Sequence, residues 1–206
     1  MNDNLLRYNR KQKYIIFDTE TEGLNLIKSK PWQIAWIVAE GNRVIKKYDK
    51  LIRWDNLSVS KDAARITGFD KKYYERNAED PKAIWKEFSK YLYDEDYLIV
   101  GQNLLGFDVY MVDVWRRLIG EELNQSYISR IIDTKAIATA IEKDAPVDND
   151  DLICWQYRWL NFRQRGLKTS QLTLLKKYDI DFDQKRLHDA LYDIEMNLEI
   201  FHKQLY

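Results

Sequence analysis

Residues 14–24 read YIIFDTETEGL, and the fold turns on how that stretch is read. Tyr14, Ile15, Ile16 and Phe17 are apolar or β-branched and predict a buried strand. Asp18, Glu20 and Glu22 follow at alternating positions. In an extended chain the side chains of residues i and i+2 share a face. Asp18 and Glu20 are therefore expected side by side at the carboxyl end of the strand, with Thr19 on the other face. Two like charges about 4 Å apart at an effective dielectric near 20 repel by roughly 4 kcal/mol. That is a large part of a net stability of roughly 5–15 kcal/mol. A divalent cation between the acids would offset it.

Outward from this strand, residues 32–40 (WQIAWIVAE) place Trp32, Ile34, Trp36 and Val38 on one face and predict a second strand. Gly41 and Asn42 supply a hairpin turn. Residues 43–54 then read as a third strand whose lysines suit a sheet edge. Beyond it the period becomes helical. In residues 79–94, Ala83, Ile84, Phe88 and Leu92 recur at helical spacing behind Pro81. A fourth strand is expected at 97–103, a helix over 107–120 ending near Gly120, a fifth strand at 130–134 and a helix from about Lys135. Residues 170–180 and 186–205 complete the chain as two helices, the latter with an apolar stripe of Leu187, Leu191, Ile194, Leu198 and Leu205. Three meander strands followed by strands alternating with helices predict an α/β fold with a five-stranded mixed sheet flanked by helices.

At 206 residues, with 45% hydrophobic and 14% aromatic side chains, the chain suits one domain with a sizeable core. Seven glycines and three prolines leave little for long linkers. Residues 1–12 are read as a polar N-terminal extension and 141–168 as a variable insertion. The insertion opens with an acidic loop at 141–151, read as a solvated connector. The formal net charge of zero argues against indiscriminate binding of polyanions while allowing local binding of a strand. Cys154 is the single cysteine, so an internal disulfide is excluded, and no Cys/His spacing suggests zinc. With no signal-type stretch and no apolar run long enough for a membrane, a soluble cytoplasmic protein is expected.

Three further pieces join the opening one. Asn103 stands at a strand's end and Asp108 opens the next helix. His188 stands at the start of the last helix, and Asp193 follows beside its apolar stripe. Singly, each has an ordinary explanation: a turn former, a helix cap, a structural histidine. As an ordered set, Asp18-Thr19-Glu20 with Gly23-Leu24, then Asn103 with Phe107-Asp108, then His188 with Asp193, they resemble the DnaQ-like 3′→5′ exonucleases of the DEDDh type, with an RNase H-like fold. Residues 59–69 (VSKDAARITGF) resemble the family's linking helix and turn, and 131–138 (IIDTKAIA) its fifth strand and following helix. The resemblance spans about residues 12 to 206.

The resemblance implies that Asp18, Glu20, Asp108 and Asp193 hold two divalent cations, magnesium or manganese, which suit carboxylate oxygen. It makes His188 the general base toward water, a task suited to an ordinary pKa near 6.5. Leu24 and Phe107 would contact the terminal base or sugar, backbone near Thr19 and Thr21 the terminal 3′-hydroxyl, and Asn103 the substrate. The implied partner is a single-stranded 3′ end, DNA ahead of RNA, released as 5′-mononucleotides. A polymerase, replication or repair partner is compatible with the resemblance and has no residue signature. An enzyme acting on RNA ends and an inactive nucleic-acid-binding module are the alternatives. The intact set of five residues weighs against the second.

Glu22, where relatives commonly have Thr or Ser, is read as a turn residue, and Gln102 stands where many have His. His202 is expected to be an ordinary surface residue. Residues 154–168 (CWQYRWLNFRQRGLK) are read as an amphipathic helix with core aromatics in preference to a base-stacking flap.

Overall fold

The computed structural model describes residues 6–187 and 189–205. Its centre is strand β1 (Lys13–Thr21). β1 pairs antiparallel with β2 (Pro31–Glu40), which pairs antiparallel with β3 (Arg43–Leu51). On its other side β1 runs parallel to β4 (Tyr97–Gly101), and β4 runs parallel to β5 (Ile131–Asp133). Among the described residues this gives the expected five-stranded mixed sheet, in the order β3-β2-β1-β4-β5.

The helices, in chain order, are α1 (Lys61–Thr67), α2 (Lys71–Asn77), α3 (Pro81–Leu92), α4 (Asp108–Ile119), α5 (Thr134–Ile141), α6 (Leu152–Leu160), α7 (Gln171–Lys177) and α8 (Ala190–Gln204). They cover both faces of the sheet. On one face Ile15, Phe17, Ile34 and Trp36 pack with Phe88 of α3 and Trp115 of α4. On the other, Tyr14, Ile16 and Ile37 pack with Ile137 of α5, Trp155 of α6 and Ile194, Leu198 and Phe201 of α8. A sheet covered on both sides buries both side-chain rows of its inner strands. This corrects the one-faced reading of β2: Ala35, Ile37 and Ala39 are as buried as Trp36 and Val38.

The two sheet edges are protected differently. β3 carries Lys46, Lys47 and Lys50, and Lys47 reaches Glu195 of α8 at 2.7 Å. β5 is three residues long, and the buried Gln156 of α6 completes it: Asp133 N donates to Oε1 at 2.6 Å, and Nε2 donates to Ile131 O at 2.9 Å. The side-chain amide thus substitutes for a neighbouring strand. Residues 141–168 are therefore only partly peripheral. Their loop is exposed through much of its length, while Leu152, Trp155, Gln156 and Leu160 are buried. α6 ends at Leu160, so the single amphipathic helix expected over 154–168 covers only its first part, with Trp155 buried and Trp159 and Phe162 partly exposed. Of residues 1–12, Leu6 is buried and Gln12 O accepts from Gly41 N at 2.9 Å, so the segment described is tied to the sheet.

Other differences are local. In α3, Trp85 takes the inward position expected for Ala83, which is exposed. The stripe on α8 is formed by Ala190, Ile194, Leu198 and Phe201, with Leu187 in the turn before it. His202 is half-buried and its pKa is lowered by that burial, so it is not an ordinary surface residue. α2, unanticipated from sequence, buries only Tyr74. No helix among the described residues is long and apolar enough to cross a membrane.

Candidate active site

The acids of the opening stretch stand at the carboxyl end of β1, where Asp18 lies opposite Ala35 and Glu20 opposite Gln33 of β2. Thr19 points to the other side and is buried. It meets the second acidic element there: Thr19 N and Thr19 Oγ1 both donate to Asp108 Oδ1, at 3.0 and 2.7 Å. Asp108 is the first residue of α4 and is 2% exposed. A carboxylate so placed also faces the positive end of the helix dipole.

The turn that delivers Asp108 is built by a residue the sequence reading passed over. Asp133, fully buried at the end of β5, accepts from Asn103 N and Lys135 N through Oδ1 (3.0 and 3.1 Å) and from Leu105 N through Oδ2 (3.1 Å). Asn103 adopts a left-handed conformation (φ +67°), and its Oδ1 accepts from Lys135 Nζ at 3.0 Å. A Cβ on Gly106 would lie 2.7 Å from Asn103 Oδ1, so a larger residue there would displace the Asn103 amide. Burial raises the Asp133 pKa to about 6, against the lowering effect of its backbone hydrogen bonds. The sequence signal for this role was the Asp-Thr junction of strand and helix, where Asp133 also caps α5.

Asp193 comes from the first turn of α8, which is capped by Asp189. Gln171 Nε2, at the start of α7, donates to Asp193 O at 3.0 Å and to Asp193 Oδ1 at 3.2 Å. The four acids share one field. The pKa of Asp18 is raised well above the usual carboxylate range by burial, then by the charges of Asp108, Glu20 and Asp193. Glu20 is pushed up to about 8 by burial, then by Asp193, Asp108 and Asp189. Asp108 is pushed up to about 7, burial outweighing its bonds from Thr19. Each shift records a cost of holding negative charge in a partly covered place crowded with acids.

Among the described residues no group of three or more His, Cys, Asp or Glu side chains is arranged to hold a metal ion as it stands. The donor chemistry nevertheless suits a hard divalent cation: carboxylates from β1, α4 and α8 lie close enough that Asp108 and Asp193 add to the effect of burial on Asp18 and Glu20. His188 lies outside the described residues.

The remaining expected residues scatter. Thr21 is buried, with Oγ1 donating to Gly23 O at 2.7 Å. Phe107 is partly buried beside Asp108, and Leu24 is 86% exposed. Glu22 is a loop anchor, as its turn reading anticipated: it accepts from Lys30 N at 2.9 Å and from Ser58 N at 2.7 Å. A groove of about 580 Å³ is lined by Gln33 and Asp189, neighbours of Glu20, and by Arg65, Phe69, Tyr73 and Arg186.

Comparison with known proteins bears on the family and the fold. A family model described as Exonuclease matches residues 15–201. A PolC-type DNA polymerase III of Pediococcus pentosaceus is 27% identical over 184 residues, covering 89% of this chain and 11% of the polymerase. A structure of exonuclease I superposes with a TM-score of 0.74 at 16% identity, covering 95% of this chain and 41% of that one. E. coli exonuclease I in complex with a dT13 oligonucleotide gives 0.73 at 16% identity, over 94% and 40% of the two chains. The zinc-bound form of the E. coli enzyme with single-stranded DNA gives 0.72 at 16% identity, over 92% and 40%. The chain thus spans about a tenth of the polymerase and two fifths of these solved chains.

Proposed function

The chain belongs to the exonuclease family, and from that premise we propose that it hydrolyses single-stranded DNA from the 3′ end and releases 5′-mononucleotides. The observation that carries this reading is the convergence of Asp18, Glu20, Asp108 and Asp193 into one mutually repelling field at the end of the central strand. The order of these residues along the chain is that of the DEDDh type. The likeness to a DNA polymerase and to an enzyme crystallised with single-stranded DNA favours DNA over RNA.

In this reading Asp18, Glu20, Asp108 and Asp193 hold two divalent cations, magnesium or manganese. Such ions, when bound, lower the pKa of water and stabilise charge on a phosphoryl centre. The chain's own residues do the rest. Thr19 fixes one oxygen of Asp108, so that its carboxylate presents a constant edge. Gln171 holds Asp193 by backbone and side chain together. His188 takes the proton of the attacking water. Phe107 and Leu24 contact the terminal nucleoside, with backbone near Thr19 and Thr21 at the 3′-hydroxyl. Asn103 keeps its side-chain oxygen on Lys135, which leaves its amide hydrogens for the substrate. Arg65 and Arg186, with Phe69 and Tyr73, give the groove cations for phosphates and rings for bases.

The test uses matched single-stranded DNA and RNA, each labelled at the 5′ end or at the 3′ end, with manganese. The expected result is a 5′-labelled DNA ladder that shortens with time, immediate release of the 3′ label as mononucleotide, and slower action on RNA. Release of the 5′ label first would overturn the direction, and faster loss of RNA would overturn the substrate.

A further inference from the structure

Gln102 and Gln171 belong to a hydrogen-bonded chain that ends on Asp193, and neither residue was part of the expected site. Gln102 follows β4. Its Oε1 faces two donors, Thr134 Oγ1 at 2.8 Å and Asn197 Nδ2 at 3.4 Å, and its Nε2 donates to Thr169 O at 2.9 Å. Donors on one side and a carbonyl on the other leave the amide one orientation. Asn197 is buried, and its Nδ2 also donates to Thr134 Oγ1 at 2.8 Å, which braces the same hydroxyl from α8. Thr169 directly precedes Ser170, the cap of α7, and Gln171 is that helix's first residue. Fixing the Thr169 carbonyl to the sheet therefore fixes where α7 begins and where Gln171 can reach.

Gln171 then holds two oxygens of one residue, the carbonyl and the carboxylate of Asp193. Holding both sets the side chain relative to its own backbone, which selects a rotamer as well as a location. Gln102, Gln171, Asp193 and Asn197 line a single narrow cleft with Asp18, so the chain of bonds borders the acids directly.

We infer that Gln171 is a positioning residue: anchored through Gln102 and the Thr169 carbonyl, it presents the Asp193 carboxylate to the divalent cations of the site. The inference rests on the proposed cation-binding role of Asp193. Partners that orient ligands typically contribute tenfold to a hundredfold in metal affinity.

The experiment is calorimetric titration of manganese into the full chain, beside thermal melting without metal. Gln171→Leu keeps the bulk and removes the amide. Its manganese affinity is expected to fall about tenfold with the metal-free Tm nearly unchanged, since Gln171 is only partly buried. Leu175→Val loosens the packing of α7, where Leu175 is fully buried, and leaves the amide in place. It is expected to lower the Tm and leave the affinity as in the wild type. Wild-type affinity in Gln171→Leu would overturn the inference, as would an equal loss of affinity in both variants. Failure of the wild type to bind manganese would instead overturn the cation-binding reading on which the inference stands.

Discussion

Asp108 shows how one side chain can be both buried and usable. It is 2% exposed, and Thr19 supplies two of its hydrogen bonds. Those bonds pull its pKa down against a larger rise from burial. Thr19→Val keeps the backbone donor and removes the hydroxyl, so the Asp108 pKa moves further up and less carboxylate is present at neutral pH. The acid limb of the rate–pH profile is expected to shift to higher pH, with activity at pH 7 reduced about threefold to tenfold. An unmoved profile would separate Thr19 from the chemistry. Asp18→Asn removes an ionisable group whose charge is disfavoured by burial and then by three neighbouring acids. Turnover is expected to vanish while the metal-free Tm rises by about 2–4 °C, the equivalent of roughly 1 kcal/mol at this chain length. A lower Tm would show that the charge is held favourably after all. At this scale the sequence was legible where period alone decided: Asp18 and Glu20 share a face because strands alternate. Asp133 was not legible, because its partners Asn103 and Leu105 are backbone groups 30 and 28 residues away.

Among the elements, the short strand β5 depends most on something outside itself. Gln156 closes its open side with two hydrogen bonds, at 2.6 and 2.9 Å. Gln156→Leu would leave the Asp133 N–H and the Ile131 carbonyl buried and unpaired, at about 1–3 kcal/mol for each. A fall in Tm of roughly 5 °C or more is expected. A fall of less than about 1 °C would mean the edge is satisfied in another way. The helical spacing of residues 154–168 pointed to a buried face on α6, yet nothing in it marked Gln156 as a strand substitute, since its role exists only once α6 lies along β5. Propensity also failed for α2, a seven-residue helix with one buried side chain, which offers almost no periodic signal. The meander β1-β2-β3 was plain because Gly41 and Asn42 mark its second turn. That β2 is buried on both faces was not, because only the packing of α8 against its far face decides it.

In the whole molecule, a sheet buried on both sides places an acidic cluster at the end of its central strand. Glu20 at about 8 and Asp108 at about 7 both lie above the ordinary carboxylate pKa near 4. Between those values the folded chain binds more protons than the unfolded chain, so stability falls as pH rises. The Tm of the metal-free protein is therefore expected to drop between about pH 5 and pH 8. Saturating magnesium or manganese should flatten that slope, because a bound cation replaces the protons and stabilises the folded state by mass action. A Tm that climbs with pH, or a slope indifferent to the cation, would contradict a shared acidic field.

The most direct test of the site is the shortening of 5′-labelled single-stranded DNA by the wild type and by Asp18→Asn, side by side, in manganese and in chelator. Stepwise loss from the 3′ end is expected for the wild type in manganese alone, with no products in the other three reactions. Shortening that survives either the chelator or the loss of the Asp18 charge would contradict a nuclease built on these four carboxylates.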